Sequence, residues 1–293
     1  MQTDTETSKV VVVGVDGTAN GARAIRFAVA EAHRIGGFLR IVHVQPGGIP
    51  EPGTPRMPMV MDASWHEVAA EVVKDAEQQA RQLGYTDPRL EAVLMAGSRK
   101  AVLLEQSTDA ACVVLGARRA PWQHLVAGST TTALAARAQV PVIAVPHTWD
   151  SADPYGRVVV GTDVTEVRLV MAVAFDAARE RQAAVEVLHA WRPRAPYDAA
   201  GVFVDEWGQD IRSTLTRLIE EAGIASGIEW QVSAPYAPAL AALHQAGLRA
   251  DLLVVGRHGH SAPHGLRIGS ITRALIRTST CPVMVVPTAR RAD

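Results

Sequence analysis

The chain has 293 residues, enough for two domains of ordinary size, and its 48% apolar and 20% charged residues are those of a globular protein, not a disordered one. A formal net charge of −1 provides no global basic field, which argues against nucleic acid and anionic membranes as partners. No apolar run approaches the roughly 20 residues of a membrane-spanning helix, and the polar, acidic start lacks a basic-then-apolar leader, so a cytoplasmic protein without membrane insertion is expected.

In chain order, the β-branched run Val10–Val13 predicts a strand. Ile25, Ala28, Val29 and Ala32 then fall on one face of a helix. A second apolar run, Leu39–Val44, leads into Gln45–Ser64, a stretch with five prolines. That stretch is too long for an ordinary strand-to-helix connection and predicts either a lid or a partner-binding surface. Ala69, Val72, Val73, Ala76, Ala80 and Leu83 carry helical spacing over a second helix, and Val113–Leu115 and Val142–Val145 predict two further strands. A polar linker, His147–Gly156, follows, and the pattern then starts again. Val158–Val160, Val185–Leu188, Leu252–Val255 and Val283–Val286 are the second set of strands, with helical faces at Val167, Val170, Met171, Ala174 and Ala178 and at Ile211, Leu215, Leu218 and Ala222. Arg192–Trp207 is the counterpart of the proline-rich stretch.

This repetition is the most informative property of the sequence. VVVGVDGT at 11–18 matches VVVGTDVT at 158–165, and IVHV at 41–44 matches VLHA at 187–190. CVVLGARR at 112–119 matches LLVVGRHG at 252–259, and the Gly-Ser segment opening at 128 matches the one opening at 269. The order is kept at offsets of 140–147 residues. Two domains are therefore expected, residues 1–148 and 154–293. Strand runs that do not alternate apolar with polar residues need cover on both faces, as in a parallel sheet between helices. The expected fold is α/β: two tandem doubly wound, Rossmann-like parallel sheets of five strands each with flanking helices, binding ligands at the carboxyl ends of the strands.

Three loops of the second copy leave that edge. Gly161-Thr162-Asp163 follows the first strand, Gly256-Arg257-His258-Gly259 the fourth, and Gly269-Ser270 opens a helix nine residues beyond Gly259. Glycines let the backbone approach an anion, and a helix start offers unpaired N–H groups to phosphate oxygens. Asp163 suits a ribose hydroxyl or a metal carried by the phosphates. Taken singly, each feature has a plainer role: Ser270 as an N-cap, Asp163 as a cap of the next helix, the glycines as turns. Together on one sheet edge they point to a nucleotide site.

GRHG, nine residues, then GS followed by CPVMVV resembles the G-x2-G-x9-G-(S/T) nucleotide motif of the universal stress protein family. The VVVGVDGT opening and the VHV and LHA strand ends resemble that family too, so the likeness covers nearly all of both halves, in the tandem form of the actinobacterial type. The resemblance implies ATP, with or without Mg2+, held by Asp163, Ala190 through its backbone at adenine, Gly256, Gly259, Gly269, Ser270 and the backbone of Ile271. In the first copy Asp16, Val44, Gly116, Gly128 and Ser129 stand in the matching places. Arg119 replaces the second glycine there, and eight residues, not nine, separate it from Gly128, so a weakened or altered first site is expected. Val164 replaces the glycine that Gly17 supplies in copy one. The resemblance also implies a homodimer, with the last strands as pairing edges, and a protein partner that the sequence does not name.

Other signals carry less. Cys112 and Cys281 lie in apolar runs and read as buried, inert thiols. His258, His260 and His264 cluster without a neighbouring cysteine or acid, so no metal site is expected. His43 and His189 end second strands and read as structural links to neighbouring backbone. Trp65 and Trp207, near helix starts, read as packing residues. No phosphate-loop lysine motif, G-x-G-x-x-G or G-x-S-x-G occurs where a catalytic fold would need it. The expectation is thus a nucleotide-dependent stress-response regulator and not an enzyme. Its rivals are a slow ATP hydrolase or nucleotidyl-transfer enzyme on the same fold and a non-binding dimerisation scaffold. ATP, AMP and a cyclic nucleotide all remain open as ligands.

Overall fold

The computed structural model describes residues 9–46, 63–117, 130–150, 154–162, 167–192, 204–257 and 268–288. The chain divides into two compact units, Met1–Ser151 and Ala152–Asp293. In unit one the elements run β1 (Val10–Val15), α1 (Ala19–Ile35), β2 (Phe38–Pro46), α2 (Ala63–Gln82), β3 (Glu91–Gly97), α3 (Arg99–Gln106), β4 (Ala110–Ala117), α4 (Thr130–Ala135) and β5 (Val142–Pro146). In unit two they run β6 (Arg157–Gly161), α5 (Val167–Arg181), β7 (Ala184–Leu188), α6 (Val204–Ala222), β8 (Trp230–Ser233), α7 (Ala239–Gly247), β9 (Leu252–Gly256), α8 (Ser270–Thr278) and β10 (Val283–Val286).

Within unit one the strands lie parallel in the order β3-β2-β1-β4-β5; within unit two the order is β8-β7-β6-β9-β10. Each unit therefore repeats the other's topology, and in each the order reverses beside the first strand, between β1 and β4 and between β6 and β9. That reversal opens a crevice at the carboxyl edge.

The reason lies in the side chains. Val10–Val13 and Val158–Val160 are all buried, as strands covered on both faces require. Ile25, Ala28, Val29 and Ala32 form the buried face of α1, and Val170, Met171, Ala174 and Ala178 that of α5. On α6 the buried stripe is Leu215 and Ile219, so Ile219 takes the core position that the spacing had assigned to Leu218. Helix α1 starts at Thr18, whose hydroxyl accepts from Gly21 N–H, and stops at Gly36 in the left-handed region at φ 61°. The buried Tyr85 hydroxyl accepts from the Leu39 amide at 2.8 Å, fixing the start of β2 against the end of α2.

β3 and β8 are strands the sequence did not single out. They form one edge of each sheet and are half-exposed, so they lack the solid apolar run of a central strand. Cys112 and Cys281 are buried free thiols, and burial pushes Cys281 up to about 11, which suppresses the reactive thiolate at neutral pH. No helix among the described residues is long and apolar enough to cross a membrane.

Candidate functional site

Of the residues expected to form a site in unit two, Ala190, Gly256, Gly269 and Ser270 lie at the carboxyl edge of the sheet. β9 ends at Gly256, and the next amide, Arg257 N–H, donates to the Val286 carbonyl on β10 at 2.9 Å. The Arg257 carbonyl accepts from Gly269 N–H at 2.9 Å, and the buried Thr272 hydroxyl donates to the Gly256 carbonyl at 2.9 Å. Two hydrogen bonds thus pin the first turn of α8 to the end of β9. Gly256, Gly269 and Ser270, remote in sequence, become neighbours by this route.

The pinning also sorts the donors. Gly269 spends its own N–H on Arg257 and serves as the N-cap, in extended backbone and without a side-chain cap. Among the described residues nothing caps the N–H groups of Ser270, Ile271 and Thr272, and a helix start of that kind favours an anion through its free donors and the helix dipole. Ser270 is the first residue of α8 and not its N-cap, which corrects its plainer reading. Its exposed hydroxyl has no partner among the described residues, and Ile271 is exposed beside it. Arg257 is buried next to this turn, and burial pulls its guanidinium below the usual arginine value.

Ala190 lies two residues past the end of β7. His189 N–H donates to Ser233 at 2.9 Å and Trp191 N–H to Pro235 at 3.2 Å, both on the β8 side. Backbone direction alternates along a strand, so the Ala190 amide faces the β6 side, where β6 has already ended. An amide in that position is open to a ligand edge. Asp163, Gly259, His258, His260, His264 and Val164 lie outside the described residues.

Unit one places Asp16, Val44 and Gly116 along the same edge, while Gly128, Ser129, Arg118 and Arg119 lie outside the described residues. The Asp16 carboxylate accepts from the Thr18 amide at 3.1 Å and from the Thr18 hydroxyl, closing the turn ahead of α1. Gly17 completes that turn at φ 72°. Asp16 does not cap the helix itself, which Thr18 does, but braces that cap from two residues before it. Gly116 has a packing reason to be glycine, because a Cβ there would stand 2.7 Å from the Asn20 carbonyl oxygen of α1. Val44 is buried. Thr131 donates to Gly116 O at 3.3 Å, matching Thr272, but α4 has only six residues against nine in α8.

Sequence reasoning missed Thr131 and Thr272, although the same threonine stands at the fourth position of both Gly-Ser segments. His43 and His189 behave as read. Nδ1 of each lies 2.9 Å from the carbonyl oxygen of Val15 or Thr162, and since a carbonyl only accepts, Nδ1 carries the proton. Trp65 does not pack; it is 62% exposed. A separate hollow of about 650 Å³ lies at the opposite, amino-terminal edge of unit one, where Arg40 bridges Glu91 and Asp109. No cluster of three or more His, Cys, Asp or Glu side chains among the described residues is placed to hold a metal.

The profile of the Universal stress protein family matches residues 7–146 and again residues 154–287. A universal stress protein of Mycobacterium tuberculosis is 28% identical over 295 residues, covering 94% of this chain and 96% of its own length. One from Mycolicibacterium smegmatis is 29% identical over 300 residues, with 94% and 96% covered. The crystal structure of a universal stress protein from Archaeoglobus fulgidus superposes with a TM-score of 0.72 at 18% identity, covering 98% of this chain and 99% of that one, which speaks to the fold. The chain belongs to the universal stress protein family, with two copies of the family's domain in tandem.

Proposed function

We propose that the chain is a cytoplasmic ATP-binding regulator of the stress response, with its working nucleotide site at the carboxyl edge of unit two and a weakened or altered one in unit one. The observation that supports this most is the uncapped start of α8, tied to the end of β9 through Gly269 and Thr272. The phosphates would lie on the amides of Ser270 and Ile271 and on the Ser270 hydroxyl, with Gly256 and Gly259 giving close backbone approach. Asp163 would take the ribose or a phosphate-borne Mg2+, and the Ala190 backbone the adenine edge. Bound nucleotide would order this edge and bias the surface offered to a protein partner or to a second copy in a homodimer.

A binding role fits the residues better than phosphoryl transfer. Transfer enzymes commonly place a lysine on the β- and γ-phosphates, and residues 154–293 contain no lysine, so any cation there would be arginine or a phosphate-borne Mg2+.

Titration calorimetry with ATP tests the reading. Gly259→Ala, which puts a Cβ where the backbone must approach the phosphates, and Asp163→Ala, which removes a charge-assisted contact, are each expected to weaken binding about tenfold or more. Asp16→Ala is expected to leave ATP affinity unchanged; equal losses in the two copies would overturn the assignment. Steady ADP release by pure protein would favour the hydrolase, and no thermal shift with ATP would favour the scaffold. Mass spectrometry of ligand released from native protein distinguishes ATP from AMP or a cyclic nucleotide.

A further inference from the structure

Directly after Ala190 the chain places an aromatic cluster with no counterpart among the described residues of unit one. The Trp191 ring lies 5.8 Å from Trp207 on α6 and 5.2 Å edge-on from Tyr236. Trp191 and Tyr236 are also joined by a parallel backbone bridge beyond the ends of β7 and β8. The Trp191 indole N–H donates to the Ala234 carbonyl at 3.2 Å, so its polar group is satisfied and the ring is held in place. Helix α6 closes on it at Gly208, where a Cβ would stand 4.0 Å from the indole nitrogen. Yet Trp207 stays 46% and Tyr236 45% exposed. Two large rings, braced from behind by a third and left half in water, form a ready platform for another flat group. The matching position in unit one is Gln45, and its register partner on β3 is Ala96.

We infer that Trp207 and Tyr236, braced by Trp191, form a stacking wall for the purine base of the nucleotide bound in unit two. This rests on the nucleotide reading above and adds to it the group that recognises the base. The Ala190 amide lies one residue from Trp191 and faces the β6 side, while Trp191 pairs with Tyr236 on the β8 side, so a base meeting that amide reaches the rings only across the end of β7. Stacking on an aromatic face strengthens binding of any planar base and adds nothing for a bare polyphosphate. Unit two therefore selects for a nucleoside over inorganic phosphate chains, and the described residues of unit one form no equivalent wall.

The test compares ATP with inorganic tripolyphosphate by calorimetry on the full chain. Trp207→Ala is expected to cost about tenfold or more in ATP affinity and nothing for tripolyphosphate. Trp207→Phe should keep most of the ATP affinity, and Trp65→Ala should change neither ligand. Tyr236→Ala provides a second variant with the same expected split if Trp207→Ala does not fold. Wild-type protein that binds ATP with Trp207→Ala and Tyr236→Ala at unchanged affinity would overturn the wall and leave the nucleotide site standing. Equal loss of ATP and tripolyphosphate would make the cluster a structural prop and overturn it too. Wild-type protein that binds no nucleotide would sink the parent reading, and the wall with it.

Discussion

Unit one and unit two use the same contacts deep at the sheet edge and different ones where the edge meets solvent. Each links a second-strand histidine to the carbonyl ending the first strand, at 2.9 Å in both cases. Each ties a threonine of the last helix to the carbonyl ending the fourth strand. Outside those links the copies part. Gln45 stands where Trp191 does, α4 is shorter than α8, and Arg119 stands where Gly259 does. Contacts that hold strand ends in register are needed by any copy that folds. Residues facing a ligand are free to change once one copy carries the binding. The shared histidine and threonine links therefore belong to architecture.

The largest expected effect tests whether Gly116 is architectural. Gly116→Val must push its Cβ against the Asn20 carbonyl or move α1. Overpacking against backbone should destabilise unit one by about 3 kcal/mol. Hydrogen exchange of the β1 and β4 amides measures it. Unchanged protection would show that α1 yields easily and that Gly116 is kept for some other reason.

A pH effect of similar size is expected in unit two. Cys281 occupies the place of Val140, and burial raises its thiol from 9.0 to about 11, opposed only in part by the Ser279 hydrogen bond. The buried state keeps the proton while the unfolded chain releases it, so the contribution is full below pH 9 and is lost as pH rises from about 9 to 11. Linkage over that interval amounts to about 2–3 kcal/mol. Denaturant unfolding should show this slope, and Cys281→Ala should flatten it. An identical slope in Cys281→Ala would move the cause elsewhere.

Much of this was legible in the sequence, for reasons that can be named. Central strands such as Val158–Val160 announce themselves because both faces are buried. An edge strand such as Trp230–Ser233 does not, because none of its residues is fully buried and the apolar run breaks up. The histidine links were readable because two copies placed the same residue at the same strand end. The role of Gly269 N–H was not, since whether an amide serves a ligand or the Arg257 carbonyl depends on geometry that spacing does not encode. Nor was the aromatic cluster, whose three members are brought together only by the β7–β8 pairing and the start of α6. Trp65 marks the opposite error: a tryptophan near a helix start looked like a packing residue and is exposed.

A smaller effect concerns the turn after the first helix. Both copies close it with the same two hydrogen bonds, Gly36 to His33 and Gly37 to Ala32 in one, Gln182 to Arg179 and Ala183 to Ala178 in the other. Unit one places glycine in the left-handed region, whereas unit two places Gln182 there at φ 53°. A side chain in that region is disfavoured by about 1–2 kcal/mol, offset in part because glycine loses more freedom on folding. Gln182→Gly should therefore stabilise unit two by about 0.5–1 kcal/mol. Calorimetric unfolding checks it, and a loss of stability would mean that the Gln182 side chain makes contacts worth more than the strain.

The smallest effect bears most directly on how the copies diverged. Gln45 buries its side-chain carbonyl oxygen without a hydrogen-bond partner among the described residues. Leaving an acceptor dry costs about 1–3 kcal/mol, whereas replacing it by an apolar group of similar shape is nearly neutral or stabilising. Gln45→Met should thus hold or raise the stability of unit one, by no more than about 1 kcal/mol, in nucleotide-free protein. A residue kept at such a cost has no structural reason to be glutamine. If Gln45→Met instead destabilises the nucleotide-free protein, the oxygen has a partner in solution. Gln45 would then be ordinary architecture, and its contrast with Trp191 would no longer separate a base-reading copy from a silent one.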